Sequence, residues 1–407
     1  MKKMRFLSKL IMLASVFFVF TVFTACNSSK PGNRTSNSNN EFDRNWEKYK
    51  IRENLTTQNL VEEMGIGINL GNTLEACGDW INNSHINNYI QAWGSPVPTE
   101  EMIAGYAVAG FSSLRIPVAW SNMMQLDGYI IHPGLMEMVD NVVNWTIDNG
   151  MVAIINLHWD GGWWADFPTE YDECMERYTA IWRQVSEHFR DYGDRLIFEN
   201  MNEVGFDSIW TPWRGTYVNK KRAFDLVNDL NQVFVNIIRS SGGNNEGRHL
   251  LINVYNTELE YAYDPLFKMP DDPANRMAAS VHYYKPAVFA ILDRDADWGK
   301  ARETWGTASD LLELNNNMNL LKRNCVDKGI PVIIGEFAAC GNNKTSEMKH
   351  LYALSVMEAV YSRGMCPMLW DTPGGEGEYD RYEYYLWSIE FEEAIKKIAE
   401  NTPVYRP

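Results

Sequence analysis

The sequence predicts an α/β chain folded as one closed (β/α)₈ barrel, and three observations predict it. Short apolar runs recur along the chain, amphipathic stretches of helical length separate them, and polar residues of catalytic type follow the runs at one end.

The apolar runs are residues 66–70, 113–118, 152–157, 196–199, 250–254, 278–281, 332–334 and 365–369. They are brief, nearly continuous in apolar character and often β-branched, as strands covered on both faces should be. Helices are expected over 100–109, 134–149, 173–192, 223–241, 309–328 and 347–363. Gly110, Gly150, Gly193, Gly242, Gly329 and Gly364 stand just past their ends, where a left-handed cap is wanted. Eight strands alternating with helices close into a barrel. An open nucleotide-binding sheet would carry a GxGxxG turn after its first strand, and the spacing of Gly65, Gly67 and Gly71 does not fit one.

Residues 1–25 read as an export signal rather than a domain. Lys2, Lys3, Arg5 and Lys9 precede an apolar run over 10–23, which is shorter than a membrane span needs. Cys26 follows Ala25 as in a bacterial lipoprotein processing box, so the expected partner there is a membrane, reached through a lipid on Cys26. Residues 26–44, rich in Ser and Asn, are expected to form a flexible tether, and 45–407 the barrel domain. Location is therefore expected at the cell surface or outer membrane of a bacterium, in a monomeric enzyme. Cys77, Cys174, Cys325, Cys340 and Cys366 show no CxxC or metal-ligand spacing and are expected to be mostly buried free thiols.

The net charge of -16 repels phosphates, which argues against nucleic acid but not against a neutral polymer. With 15 Trp, the chain is rich in rings that stack on sugar faces. Trp80, Trp93, Trp163, Trp164, Trp210 and Trp213 fall in expected loops on the active face, and about half of them should line sugar subsites. The stretch 373–379, PGGEGEY, reads as a rim loop, mobile or plain.

The chemistry collects just past the strands. Arg115 lies in LRIPV, His158 and Asp160 in NLHWD, Asn202 and Glu203 in FENMNE, His282 and Tyr284 in HYY, Glu336 in IIGEF, and Trp370 and Asp371 after strand eight. In a barrel these ends meet on one face. A lone strand-end carboxylate is ordinarily a cap or a solvated side chain, but six polar groups on six strands are hard to explain by stability. Paired carboxylates suit glycoside hydrolysis, in which one protonates the leaving oxygen and the other attacks the anomeric carbon. Arg115 would keep the nucleophile ionised. A metal site built from His158, Asp160, Glu203, His282 and Glu336 is the rival, without HxH or HExxH spacing to support it. The paired carboxylates need no metal or other cofactor.

In this order the motifs resemble the cellulase family of retaining hydrolases, glycoside hydrolase family five, over residues 65–370. GINLGNTLEA and AWGSP add to the likeness. The resemblance implies Glu203 as acid/base and Glu336 as nucleophile. It also implies substrate-binding roles for Asn69, Arg115, His158, Trp159, Asn202, His282, Tyr284 and Trp370. Among these, Asn202 would meet the 2-hydroxyl, His282 assist the acid/base and Tyr284 hold the nucleophile. The implied substrate is a β-1,4-linked glucan such as cellulose, mixed-linkage glucan or xyloglucan, cut internally. Mannan or xylan, or a barrel that binds glycan without cutting it, are the alternatives.

Overall fold

The computed structural model describes residues 48–374 and 377–401. The leader, Cys26 and the tether up to residue 44 fall outside them. Eight parallel strands close a barrel in sequence order: β1 (Gly67–Asn69), β2 (Ser113–Ile116), β3 (Val152–Asn156), β4 (Leu196–Glu199), β5 (Leu250–Glu258), β6 (Met277–His282), β7 (Val332–Phe337) and β8 (Cys366–Leu369). All eight coincide with the expected runs, and β8 pairs back onto β1 through Met368 and Gly67. Helices also form at the six expected places, the longest being Tyr217–Ser240, and a further one that was not expected, Ile389–Asn401, follows the barrel.

The differences lie at the edges. No long helix follows β5, where only a short 3₁₀ turn, Leu259–Tyr263, intervenes before β6. Of the capping glycines, Gly193 departs from the left-handed expectation. Its positive-φ counterparts are Gly110, Gly150, Gly242, Gly329 and Gly364. Gly193 is needed instead for closeness, because a β-carbon there would collide with the Lys50 backbone.

The barrel interior has two storeys. At the bottom, Val152, Ile154, Ile197, Leu251, Ala278, Ile333, Cys366 and Met368 form one apolar cluster. The helix Thr57–Glu63 plugs it from below with Leu60 and Val61, joined by Met64 just past its end. Side chains alternate in and out of a strand, so the next inward position is two residues on. There the character changes. Ile154 gives way to Asn156, Ile197 to Glu199, Ala278 to Ser280, Ser113 to Arg115 and Gly67 to Asn69, all fully buried. The lower storey closes the barrel, and the upper one carries the chemistry. Cys174, Cys325 and Cys366 are buried, Cys77 and Cys340 are half-buried, and these five form no disulfide among the described residues.

One buried cation secures the base outside the barrel. Arg248 donates to the carbonyls of Phe189 (2.7 Å), Tyr192 (2.9 Å) and Leu196 (2.9 Å) and to Asn245 Oδ1 (2.7 Å). Its guanidinium lies 4.4 Å over the Phe198 ring. Arg248→Leu orphans these acceptors in a dry setting, so it should lower stability by roughly 3–5 kcal/mol. A urea unfolding midpoint equal to the parent protein's would refute this.

Candidate active site

Arg115 is the centre of the upper storey and is fully buried. Its Nε donates to Glu199 Oε2 at 2.6 Å, and its Nη1 to Glu336 Oε1 at 2.8 Å and Asn69 Oδ1 at 3.0 Å. Its Nη2 donates to Asn202 Oδ1 at 2.8 Å. One planar cation therefore orients two carboxylates and two amides, which the point charge of a lysine could not do. Asn69 gives its amide N–H groups to the carbonyls of Gly335, Met368 and Leu369. With no exposed surface, Asn69 and Arg115 cannot touch a sugar. The expected substrate contact is corrected here, for both residues lie beneath the site and support those above.

Glu199 went unassigned from sequence. Besides Arg115, it accepts from Ser280 Oγ at 2.7 Å and Asn156 Nδ2 at 3.0 Å. The signal was present as a carboxylate inside an apolar run, at strand spacing from Ile197. Asn156 uses its carbonyl oxygen on the Val118 N–H and turns its amide toward Glu199 and His158 Nδ1 (3.2 Å). His158 Nδ1 is then an acceptor, which leaves the proton on Nε2. Burial, with the Arg115 charge, holds His158 well below its ordinary pKa, so it stays neutral. Its ring lies nearly parallel to Trp370, 5.8 Å away at 7°.

Glu203, His282 and Glu336 converge so closely that one ligand atom of each lies within 4.8 Å of the others. His282 Nδ1 is 2.8 Å from Glu203 Oε1 and 3.6 Å from Glu336 Oε2. Tyr284 donates its hydroxyl to Glu336 Oε2 at 3.0 Å. Gly335 leaves room for the imidazole, since a β-carbon there would stand 3.1 Å from His282 Nε2. Glu203 itself sits at φ +40°, a strained conformation for a non-glycine residue of the kind that gathers at functional sites.

The two carboxylates differ in setting. Glu336 is buried, and its pKa is raised: desolvation pushes it up, the charges of His282 and Arg115 oppose, and the Glu203 charge adds to the rise. The Glu203 side chain is 47% exposed. Desolvation pushes it up as well, but the His282 hydrogen bond and the charges of His282 and Arg115 outweigh that and bring it below the usual range. His282 is raised, because the two carboxylates outweigh its burial.

The structure disperses the rest of the proposed metal set. Asp160 is spent on Ser121 N (2.7 Å), Ser121 Oγ (2.6 Å) and Trp163 Nε1 (2.7 Å). His158 Nδ1 is occupied, and a cation between Glu203, His282 and Glu336 would face the Arg115 guanidinium 2.8 Å from Glu336. Asp371 is likewise structural, ion-paired with Arg381 at 2.9 Å. It also accepts the Glu378 N–H at 2.8 Å, pinning the part of the 373–379 stretch that is described.

Of the loop tryptophans, Trp164 and Trp210 are core residues. Trp93 is half-buried. Trp163 is half-buried beneath Arg177, 4.7 Å from its ring. Trp159 lies against Gly162 and edge-on to Trp164 at 5.5 Å. Trp80 and Trp213 are exposed, at 65% and 79%, as is Trp298, which sequence reasoning passed over.

Residues 74–375 match the cellulase family model, glycosyl hydrolase family 5. The chain is 34% identical to endoglucanase B of Clostridium cellulovorans, over 80% of this chain and 70% of that one. It is 33% identical to a xyloglucan-specific endo-β-1,4-glucanase of Bacteroides ovatus, over 80% and 67%. Among solved structures, a family 5 lichenase mutant from Caldicellulosiruptor sp. F32, in complex with cellotetraose, superposes with TM-score 0.79 at 30% identity, covering 92% of this chain and all of that one.

Glu199→Gln would leave the buried Arg115 with one carboxylate in place of two. We expect a loss of roughly 3 kcal/mol at neutral pH, read by urea unfolding. An unchanged midpoint would mean that Glu336 alone balances the guanidinium.

Proposed function

The chain belongs to the cellulase family, glycosyl hydrolase family 5, and on that premise we propose that it is an endo-β-1,4-glucanase acting with retention of configuration. Glu336 is the nucleophile and Glu203 the acid/base. The observation that carries this reading is the approach of the two carboxylates, with oxygens within 4.8 Å. Retention works at a separation of ~5–5.5 Å, whereas inversion needs ~6.5–9.5 Å to seat a water between them.

The surroundings supply the steps. Arg115 and Tyr284 fix both oxygens of Glu336, so the attacking lone pair has one direction. Asn202, its carbonyl oxygen held by Arg115, turns its amide N–H outward to a sugar 2-hydroxyl. His158, neutral with its proton on Nε2, donates to a second hydroxyl, and Trp370 forms the stacking floor. In the open site the proton needed by the leaving oxygen sits on His282, hydrogen-bonded to Glu203. A sugar covering the exposed half of Glu203 removes its water, raises its pKa and draws that proton onto it. Once the glycosyl-enzyme has formed, Glu203 is ionised again and takes a proton from the incoming water.

The substrate is a neutral β-1,4-glucan. Relatives that act on cellulose-type chains, lichenan and xyloglucan support this class, and an acidic chain has no charge reason to refuse it. Export and a lipid on Cys26 belong to the same proposal and rest on the sequence of residues 2–26.

A panel of β-glucan, soluble cellulose, xyloglucan, mannan and xylan tests the substrate, with turnover expected on the first three. In Glu336→Ala, kcat should fall by roughly 10⁴-fold or more. Added azide with an aryl β-glycoside should then yield the α-glycosyl azide, identified by NMR. Activity surviving that substitution would overturn the mechanism.

The acid limb of the pH profile offers a second test. Glu336 must be ionised, and its raised pKa means activity falls as pH drops through it. Tyr284→Phe removes a donor that favours the anion, so the pKa rises further. The acid limb of kcat/KM should move to higher pH by about one unit; a limb that stays in place argues that Tyr284 does not act on this carboxylate.

A further inference from the structure

The end of β5 is built in an unusual way. Asn253 pairs with Ser280 and Glu258 with His282, so β5 advances five residues while β6 advances two. The surplus is taken up by Asn256 and Thr257, both at φ +50°. Two successive non-glycine residues in this region, one of them β-branched, are costly and persist only where the surroundings hold them. They are held here. The Asn256 N–H donates to Val204 O at 2.8 Å, and Gly205 is required because a β-carbon there would strike the Asn256 side chain. Thr257 is fully buried, its hydroxyl on Asn256 O at 2.7 Å.

This bulge delivers the carboxylate of Glu258 to the rim beside the acid/base. Val204, which anchors Asn256, is the neighbour of Glu203. His282, the strand partner of Glu258, is the residue bonded to Glu203. Glu258 is exposed, and its carboxylate takes part in no hydrogen bond or ion pair among the described residues. The nearby Lys285 is already paired with Glu260. The proximity to the catalytic trio registers electrostatically: although its surface is exposed, desolvation by the surrounding rim raises Glu258, Lys285 opposes, the charges of Glu260 and Glu203 raise it further and that of His282 opposes.

Position selects the ligand. Trp370 follows β8 and His158 follows β3, and on the hydrolase reading their paired rings flank the sugar attacked by Glu336. The scissile oxygen faces Glu203 after β4, so the departing sugar extends over the rim of β4, β5 and β6. We propose that Glu258 is a specificity-determining residue of this leaving-group side, accepting hydrogen bonds from hydroxyls of the departing sugar. A strained bulge that presents an unpartnered carboxylate beside the acid/base fits a sugar hydroxyl donor, which also needs no deprotonation there. The inference rests on the hydrolase reading above.

The test compares two substrates with one glycone, a gluco-oligosaccharide with sugars on both sides of the cleaved bond and an aryl glycoside with none on the leaving side. For Glu258→Ala, the ratio of kcat/KM for oligosaccharide over aryl glycoside should drop about tenfold, equivalent to about 1.4 kcal/mol. Glu258→Gln, which keeps an acceptor, should recover part of it. An unchanged ratio overturns the proposal. So does an equal loss on both substrates with a common shift of the pH profile, which would make Glu258 a modulator of the Glu203 proton. Wild-type turnover lost in Glu336→Ala establishes the hydrolase reading whatever the ratio does. A wild type inactive on both substrates sinks that reading and this inference with it.

Discussion

A single buried guanidinium organises the mouth of this barrel. Arg115 has no contact with solvent, and its fork is divided among Glu199, Glu336, Asn69 and Asn202. A dry guanidinium is tolerable only with its donors satisfied, and here two carboxylates and two amide oxygens satisfy them. That need fixes where the carboxylates of β4 and β7 sit and which way the Asn202 amide faces. The geometry offered to a sugar is thus a consequence of how one arginine is satisfied.

This arrangement depends on the storey below. Eight short strands close around an apolar floor that the Thr57–Glu63 helix plugs, and the period-two alternation then lifts polar residues into a ring above it. Because the floor is packed, the ring is rigid and water-poor, and the charges within it act on one another strongly. Burial and the Arg115 charge press down on both imidazoles, and His158 lies well below its ordinary pKa while His282 is raised above it because the carboxylates of Glu336 and Glu203 face it.

Part of the backbone strain falls at the working edge. Glu203 at φ +40°, and Asn256 and Thr257 at φ +50°, cluster within one turn of strand end. They lie where β4 and β5 leave the barrel.

Sequence alone determined the strands, most of the helices and the pairing of Glu203 with Glu336, because buried parallel strands write themselves as apolar runs and barrel strands end on a common face. It also marked His158, Asn202, His282, Tyr284 and Trp370 as members of one set. It was blind to Glu199 and Asn156, and it counted Asp160 and Asp371 among the polar groups at the strand ends without showing that both are spent on structure. The reason is physical. Alternation along a strand tells which residues share a face, but whether a polar side chain meets substrate or a buried partner is decided across the barrel, by contacts between residues far apart in sequence such as Arg115 and Glu336, 221 positions apart. The same holds for the tryptophans, since Trp210 and Trp213 are three residues apart and only packing makes one core and the other exposed rim.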